Sequence, residues 1–418
     1  TVLLFAIGQG MRDGDDRQPV SIFAPTYLAL AAGVSIAFLA GDLFNLFVGF
    51  EVLLAASFVL LTVGGNAARI RAGVVYVMVS MVSSMIFLTG VALVYAAAGT
   101  VNMAELAIRL DDVSPGTRSA LFAVLMVAFG IKAAVFPLYA WLPDSYPTAP
   151  APVTAVFAGL LTKVGVYAII RTQTLMFPPG DGGANWGDDV LLWVAAATMI
   201  VGVIGAIAQD DMKRILAFHI ISQIGYMIMG LGLFTVVGVA AAVFYVIHHI
   251  VVKTALFLVA GLVDHRAGSS RLSSVGGLVR SAPVIAALFA VPALSLAGLP
   301  PFSGFLAKFA LVDAGLSQGS SAIVAVALAV GLFTLFSMTK IWTGAFWGSA
   351  ETEPDRAPQT TDRFGGPPLM VLATLSLVAI SISFSVWAGP IHELSQRAAE
   401  DLLNPAGYIS AVLGESAP

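Results

Sequence analysis

The distribution of lysine in this sequence points to proton chemistry. Five of the six lysines lie inside long apolar runs, whereas all fourteen arginines lie in or at the ends of polar connections. A lysine at bilayer depth costs about 2.5–3.5 kcal/mol on insertion scales, so a chain that holds several is expected to use them. Lysine can give up its proton when buried, but arginine stays charged. We therefore predict proton transfer through the five lysines of the apolar runs: Lys132, Lys163, Lys253, Lys308 and Lys340.

Glu51 is the only carboxylate near the middle of an apolar run. Burial alone would drive it toward its neutral form, but a neighbouring Lys132 would make the charged pair tolerable. A lysine that can lose its carboxylate partner is a workable proton switch, because the proton leaves when the partner is withdrawn. We therefore predict that Glu51 and Lys132 form a switchable ion pair.

Histidines accompany the lysines of the second half of the chain. His249 lies four residues before Lys253, so the two share a face of a helix, and histidine titrates near neutral pH. We predict that His219, His248 and Lys253 belong to the same transfer site. Two alternatives stay open: His219 could be a satisfied structural histidine, and His248 could simply bond a carbonyl of a neighbouring helix.

Two further charged residues also have a plain structural interpretation. Lys340 lies close to Trp347 and could extend its ammonium to the membrane interface. Asp144 follows Pro143 in a proline-rich connection and could serve only as a turn former. For both residues the functional and the structural interpretation remain open at this level.

Composition sets the class of protein that must position these side chains. The chain has 418 residues, of which 58% are hydrophobic and 11% charged, and its mean hydropathy is +0.93. These values are typical of an all-α polytopic membrane protein. The chain has no cysteine, which excludes disulfides, thiolate metal sites and cysteine-ligated iron–sulfur clusters. We predict no cofactor and no metal, and a transporter subunit rather than an enzyme.

Apolar runs of about 20 residues predict eleven full transmembrane helices. Residues 2–10 are too short to span, and we expect them to be the end of a helix that begins before Thr1. A polar tail without regular structure is expected from His392. The predicted helices cover residues 20–41, 43–63, 73–97, 119–142, 150–171, 190–208, 212–233, 236–261, 282–312, 321–347 and 367–389.

Two of these helices are predicted to be broken inside the membrane. Residues 282–312 are too many for one straight span and contain Pro300 and Pro301, which remove two backbone donors. Pro137 predicts a similar break in the helix that carries Lys132. Such breaks persist in a membrane only where neighbouring protein or water satisfies the freed backbone groups.

Basic residues in alternate connections predict the orientation. One set of connections holds eleven basic residues, from Arg12 to Arg363, and the other holds four: Arg109, Arg118, Arg171 and Arg397. Because cytoplasmic loops carry the excess of lysine and arginine, the first set is predicted to be cytoplasmic.

The sequence also contains a weak internal repeat. Four pairs of residues match in the same order along the two halves: Glu51 with His219 at an offset of 168, Tyr76 with Tyr245 at 169, Pro137 with Pro301 at 164, and Lys163 with Lys340 at 177. The offset of 164 also pairs Asp144 with Lys308. The predicted units are 20–171 and 190–347, preceded by a helix end and loop at 1–19 and followed by a loop, a last helix and a tail at 348–418. Each unit has five helices, an odd number, so the two lie in opposite senses across the membrane. Inverted repeats with broken helices place ion sites at the breaks.

The chain resembles the antiporter-like subunits shared by Mrp-type multisubunit Na⁺/H⁺ antiporters and NADH–quinone oxidoreductase, above all the D-type subunits of the Mrp antiporters. The motifs that carry the resemblance are GDLFNLFVGFEVLLAASFVLL (41–61), WLPDSYPTAPAPVTAVFAGLLTKVGVYAIIR (141–171), QDDMKRILAFHIISQIGYM (209–227) and GLPPFSGFLAKF (298–309).

The resemblance implies two inverted five-helix units, each with a half-channel. It implies that Glu51 and Lys132 are the ion pair, Lys163 the connecting lysine and Lys308 the terminal lysine. It also implies that His219, His248 and Lys253 lie on a central polar axis.

Three classes of function follow from these observations. The first is a proton-translocating subunit of a multisubunit Na⁺/H⁺ antiporter in the bacterial plasma membrane, with other subunits, H⁺, Na⁺ and lipid as partners and no nucleic acid. The second is a proton-pumping subunit of NADH–quinone oxidoreductase or a related redox complex. The third is an inert scaffold, which the lysine series argues against because unused buried charge only destabilises a protein.

Overall fold

The computed structural model describes residues 1–9, 20–179, 186–349 and 366–414, and within these ranges the chain is helical, without strands. The helices are α1 (Val2–Gly8), α2 (Val20–Leu39), α3 (Leu43–Thr62), α4 (Ala67–Ala98), α5 (Met103–Arg109), α6 (Pro115–Ala133), α7 (Trp141–Ser145), α8 (Ala151–Val156), α9 (Thr162–Leu175), α10 (Trp186–Ile207), α11 (Met212–Gly232), α12 (Val236–Ala267), α13 (Leu278–Ser281), α14 (Pro283–Ala297), α15 (Ser303–Ser317), α16 (Ser321–Ile341), α17 (Pro368–Val386), α18 (Ala388–Leu403) and α19 (Ala406–Leu413). The predicted all-α membrane class is confirmed.

In the part of the chain that the structure describes, ten helical segments are long and apolar enough to cross a membrane, against the eleven predicted. The difference is the predicted helix at 282–312, which divides into α14 and α15. Gly298 ends α14 in the left-handed region at φ +87°, and the two prolines that follow lack backbone N–H donors.

The helix that carries Lys132 is also broken, as Pro137 indicated. Helix α6 ends at Ala133, and Ala134 adopts a left-handed conformation at φ +59°. The predicted continuation to residue 142 was therefore too long. The chain resumes helical structure in the short α7, and the next span runs from α8 through a π-helical turn at Phe157–Leu161 into α9.

The tail beyond His392 was wrongly predicted to lack regular structure. Residue 392 lies in α18, which contacts α12, and Ser395 and Ala399 on this helix are buried. These buried positions are four residues apart, which is one face of a helix. Helix α19 contacts α5, and the Arg171 guanidinium lies 4.2 Å from the centre of the Tyr408 ring. The sequence of α18 is amphipathic but too polar to resemble a transmembrane helix, and the prediction therefore missed it.

Local features of the first half recur 169 residues later. Helices α4 and α12 each have 32 residues and end at a left-handed glycine. The side chains of Asp42 and Asp211 cap α3 and α11. A Cβ at Gly33 would clash with the backbone N of Leu53, and one at Gly202 would clash with that of Ser222. Glycine is thus required at both crossings. The unit boundaries themselves stay a prediction.

The register of this repeat differs by one residue from the predicted pairing of Glu51 with His219. Counted from the caps at Asp42 and Asp211, His219 is the equivalent of Phe50. The carboxylate and the imidazole therefore occupy neighbouring rather than equivalent positions, and they point in different directions because successive helical residues are about 100° apart.

Contacts between connections follow the predicted division into two faces. Arg69 donates to the carbonyl of Thr148 at 3.0 Å, and Arg214 pairs with Asp144 at 2.9 Å. Lys213 pairs with Asp264 at 2.6 Å. All six residues belong to the connections predicted to be cytoplasmic. We call the surface they form the basic face.

Candidate proton-transfer site

Glu51 and Lys132 are linked through a serine hydroxyl. The Ser84 hydroxyl donates to the Glu51 carboxylate, and the Lys132 ammonium donates to Ser84 Oγ at 3.2 Å and to the Ser80 carbonyl at 3.4 Å. The predicted partners are therefore neighbours, but the connection runs Lys132 to Ser84 to Glu51. Sequence reasoning missed Ser84, although the spacing of Ser80 and Ser84 on an apolar helix places both hydroxyls on one face.

The helix break positions the Lys132 ammonium. Lys132 lies in the last turn of α6, where the helix dipole favours a positive charge. Helix α9 approaches this break closely, since a Cβ at Gly165 would lie 2.6 Å from the backbone N of Ala133. The glycine therefore brings the helix that begins just before Lys163 against the end of the Lys132 helix.

Lys163 and Lys253 are fully buried, and their ammonium groups bond to backbone carbonyls. Lys163 donates to the carbonyl of Ala158 and to Thr162 Oγ1 at 3.3 Å. Lys253 donates to the carbonyl of Leu216 at 3.0 Å. Ala158 belongs to the π-helical turn, whose wider bonding pattern departs from the α-helical ladder. The Ala158 carbonyl can therefore accept from the Lys163 ammonium, whereas in an unbroken α-helix it would accept from a backbone N–H four residues further on.

The three histidines are buried in the centre of the molecule. His219 Nε2 bonds the Ser337 hydroxyl, and His248 Nδ1 bonds Ser303 Oγ at 2.9 Å. Neither ring nitrogen of His249 has a hydrogen-bond partner among the described residues. His249 lies within electrostatic range of both Lys163 and Lys253.

His249 is therefore near lysines of both halves, and Lys163 and Lys253 are also within electrostatic range of each other. The sequence placed His249 on the same face as Lys253, but its nearness to Lys163 depends on the contact between α12 and the π-helical turn, which sequence spacing does not show. A Cβ at Gly159 in that turn would clash with Thr254 Oγ1, so the two elements touch beside these side chains.

Lys308 lies at the second break. Its ammonium donates to the carbonyls of Leu296 at 3.0 Å and Ala297 at 3.2 Å, the last residues of α14. The ammonium is also 4.9 Å from the centre of the Tyr226 ring, a cation–π distance. His248 connects this group to the central histidines, because Ser303, its hydrogen-bond partner, begins the helix that carries Lys308.

Lys340 and Asp144 lie outside this line. The Lys340 ammonium pairs with Asp210 at 2.8 Å and donates to the Gln209 carbonyl at 2.7 Å, with 29% of the side chain exposed. This is the geometry expected of a lysine that reaches the interface. Asp144 pairs with Arg214 at the basic face rather than with a residue of the second break. A role for Lys340 in transfer stays a prediction.

The described residues contain no group of three or more histidine, cysteine, aspartate or glutamate side chains that could hold a metal ion. The site is instead a series of ionisable side chains: a carboxylate, four buried or half-buried lysines and three histidines. Fold and site together define a class, the polytopic helical membrane proteins whose broken helices hold ionisable side chains within the bilayer.

Comparison with known proteins identifies the family within this class. The sequence model of the NADH:quinone oxidoreductase/Mrp antiporter transmembrane family matches residues 40–336. The chain belongs to this family, and the resemblance stated from its motifs is confirmed.

Relatives and solved structures agree with this assignment. The D subunit of a Na⁺/H⁺ antiporter from Alkalihalophilus pseudofirmus is 45% identical over 94% of this chain and 78% of the relative. A chain of the Mrp complex from Dietzia sp. has a TM-score of 0.86 at 34% identity, covering 99% of this chain and 84% of that one. A chain of the membrane-bound sulfane sulfur reductase, an archaeal respiratory membrane complex, has a TM-score of 0.84 at 26% identity, covering 98% and 82%.

Proposed function

We propose that this chain is the proton-translocating, D-type subunit of a multisubunit Na⁺/H⁺ antiporter in a bacterial plasma membrane. The observation that carries the proposal is the series of buried and half-buried ionisable groups at and between the two helix breaks. Its members are Glu51, Lys132, Lys163, His249, Lys253, His219, His248 and Lys308. Buried charge of this kind is costly unless it is used.

Transfer begins at the first break in this proposal. Lys132 holds a proton while Ser84 connects it to the Glu51 carboxylate. When the serine hydroxyl rotates away from the lysine, the positive charge loses its stabilising partner and the proton moves to the next amine, Lys163. That amine is held by one carbonyl of the wide turn at Phe157–Leu161 and by the Thr162 hydroxyl, and in this proposal it leaves these neutral partners to turn toward its neighbours.

The central histidines then carry the proton across the boundary between the halves. His249 has two ring nitrogens without a partner among the described residues, so it can accept a proton on one and release one from the other. Lys253 and His248 continue the line to Lys308 at the second break. In this proposal Lys308 exchanges its proton with the opposite side of the membrane from Lys132.

The antiporter is favoured over a redox-driven pump by sequence. Among the solved structures, the chain of the Mrp complex is 34% identical, whereas the respiratory-complex chain is 26% identical. A member of either complex would move protons through the same side chains, and the difference would lie in the partner subunits that drive it.

A transport assay tests the proposal. Everted vesicles that contain the whole set of antiporter genes, with and without this one, are loaded with a pH-sensitive dye and given a Na⁺ pulse. We expect Na⁺-dependent proton exchange only when this gene is present. Equal exchange without it would contradict the proposal, and proton pumping driven by NADH oxidation in place of Na⁺ would favour the redox complex.

A further inference from the structure

A small cavity lies beside the Lys132 ammonium. Its volume is about 20 Å³, and its polar lining comes from Lys132, Tyr76, Ser80, Trp141 and Tyr146. A cavity needs about 10–15 Å³ and at least two polar partners to hold a water molecule. The cavity therefore has the size and the chemistry for one water.

Most polar groups of the lining are already paired. The Tyr76 hydroxyl bonds Ser57 Oγ at 2.8 Å, and the Trp141 indole N–H donates to the carbonyl of Ile131 at 3.1 Å. Tyr146 differs, because it is fully buried and its hydroxyl has no partner among the described residues. A buried hydroxyl left unpaired costs about 1–3 kcal/mol, so this position favours a bound water.

The second group with spare hydrogen-bonding capacity is Lys132. An ammonium has three N–H donors, and the two bonds made by this one are long, at 3.2 and 3.4 Å. A third N–H donor is therefore not used by these two bonds, and both Lys132 and Phe50, whose ring centre lies 5.8 Å from the ammonium, line the cavity. Lys132 and Tyr146 are therefore the two groups that a single water molecule would join.

Tyr146 also lies on the path toward the basic face. Its ring is held between Trp141 and Phe157, with centroids 5.6 and 5.5 Å away. Two residues further on, the carbonyl of Thr148 accepts the hydrogen bond from Arg69. Tyr146 thus lines the cavity beside Lys132 and is two residues along the chain from a residue of the basic face.

We propose that one water molecule binds between the Lys132 ammonium and the Tyr146 hydroxyl, and that Tyr146 relays protons between Lys132 and the basic face. In one concerted step the water gives a proton to the neutral amine and takes one from the tyrosine hydroxyl, while that hydroxyl takes a proton from a hydronium ion of the solvent at the basic face. Only N–H and O–H bonds change, and one proton moves onto the lysine. This inference rests on the proposed function, to which it adds the entry of the proton.

The test uses Tyr146→Phe in the complete complex, because this change removes the hydroxyl and keeps the ring packing. We expect the initial rate of Na⁺-driven proton exchange to fall about 100-fold, the low end for loss of a positioned proton donor. The solvent deuterium isotope effect on that rate should rise, because proton delivery becomes limiting. Assembly and thermal stability should be unchanged. Tyr167→Phe is the matched control, since its hydroxyl bonds the Phe38 carbonyl at 2.9 Å, away from the cavity.

A second variant, Leu54→Phe, fills the cavity from its apolar side, and it should slow exchange in the same way. A wild-type rate and isotope effect in Tyr146→Phe would overturn the inference. Should that variant fail to assemble, a wild-type rate in Leu54→Phe would overturn it instead. Lys132→Ala distinguishes a failure of the Tyr146 relay from a failure of the proposed function. If Lys132→Ala abolishes exchange while Tyr146→Phe does not, only the relay is wrong. If Lys132→Ala exchanges normally, the proposed function is wrong.

Discussion

Each of the two helix breaks has an ammonium group beside it, but the lysine comes from a different side of the break. Helix α6 ends at Ala133 and α14 ends at Ala297, 164 residues later. At that spacing the equivalent of Lys132 is Leu296, whose carbonyl accepts the hydrogen bond from Lys308. One lysine therefore comes from the helix before its break and the other from the helix after it.

What differs between the breaks is the partner of the charge. At the first break the ammonium reaches the Glu51 carboxylate through Ser84. At the second it is held by two carbonyl dipoles and the face of Tyr226. The comparison teaches that the repeat maintains a positive charge beside each break, whereas the partner of that charge is specific to each half.

A large effect is expected from removal of the carboxylate. Glu51→Gln leaves an amide that still accepts a hydrogen bond from Ser84 but carries no charge, so the first break loses its switch. We expect exchange to fall at least about 100-fold, within the range for loss of a proton-transfer group, while the complex still assembles. Vesicle exchange assays alongside native gels measure both. An assembled Glu51→Gln complex that exchanges at the wild-type rate would mean that this pair is not the switch.

A smaller effect is expected when only the bridge is removed. Ser84→Ala takes away the hydroxyl that joins Lys132 to Glu51, and a hydrogen bond to a charged group contributes about 1.5–3 kcal/mol. We expect a roughly 10–100-fold slower exchange, the size that such a loss of free energy implies. Ser83→Ala is the control, since its hydroxyl bonds the Ala128 carbonyl at 2.9 Å instead. Equal rates in the two variants would argue against a specific bridge.

The equivalence of the two breaks can be tested by moving a lysine across one of them. Lys308→Ala should abolish exchange, and adding Leu296→Lys should restore a measurable part of it, because the new ammonium starts from the position equivalent to Lys132. Ala297→Lys, one residue further along the helix, points elsewhere and should restore less. If the complex that carries Lys308→Ala and Leu296→Lys assembles but shows no exchange, positions 132 and 296 are not equivalent.

A labelling experiment, which should leave transport unchanged, tests the basic face. The chain has no cysteine, so single cysteines at positions 69 and 271 report one site each. Both should react with a membrane-impermeant maleimide only from the cytoplasmic side. Reaction of both from outside would invert the orientation and exchange the two ends of the transfer line.

Sequence reasoning was strongest where a residue is costly in a membrane. Glu51 and the buried lysines stand out in apolar runs because little else explains them, and the double proline at 300–301 marked its break correctly. Hydroxyl groups carry no such signal, so Ser84 escaped notice. Serines are tolerated throughout apolar helices by bonding carbonyls of the preceding turn.

Other features depended on residues far apart in sequence. The surface position of Lys340 is set by its ion pair with the distant Asp210, and no local pattern reports that contact. The bridging position of His249 depends on the glycine crossing between two helices. The one-residue error in pairing Glu51 with His219 arose because apolar helices match one another in several registers, and only the aspartate caps fix the true one.

The central claim is that the buried lysines carry protons rather than fixed charge. Lys163→Arg and Lys308→Arg test it most directly, because arginine keeps the charge but remains protonated, with a pKa above about 12. Lys→Met at the same positions gauges assembly and the cost of the lost charge. We predict that each arginine variant assembles and loses Na⁺-dependent proton exchange. Full exchange with arginine at both positions would show that these lysines only shape the electric field and that the proton travels through histidine and water.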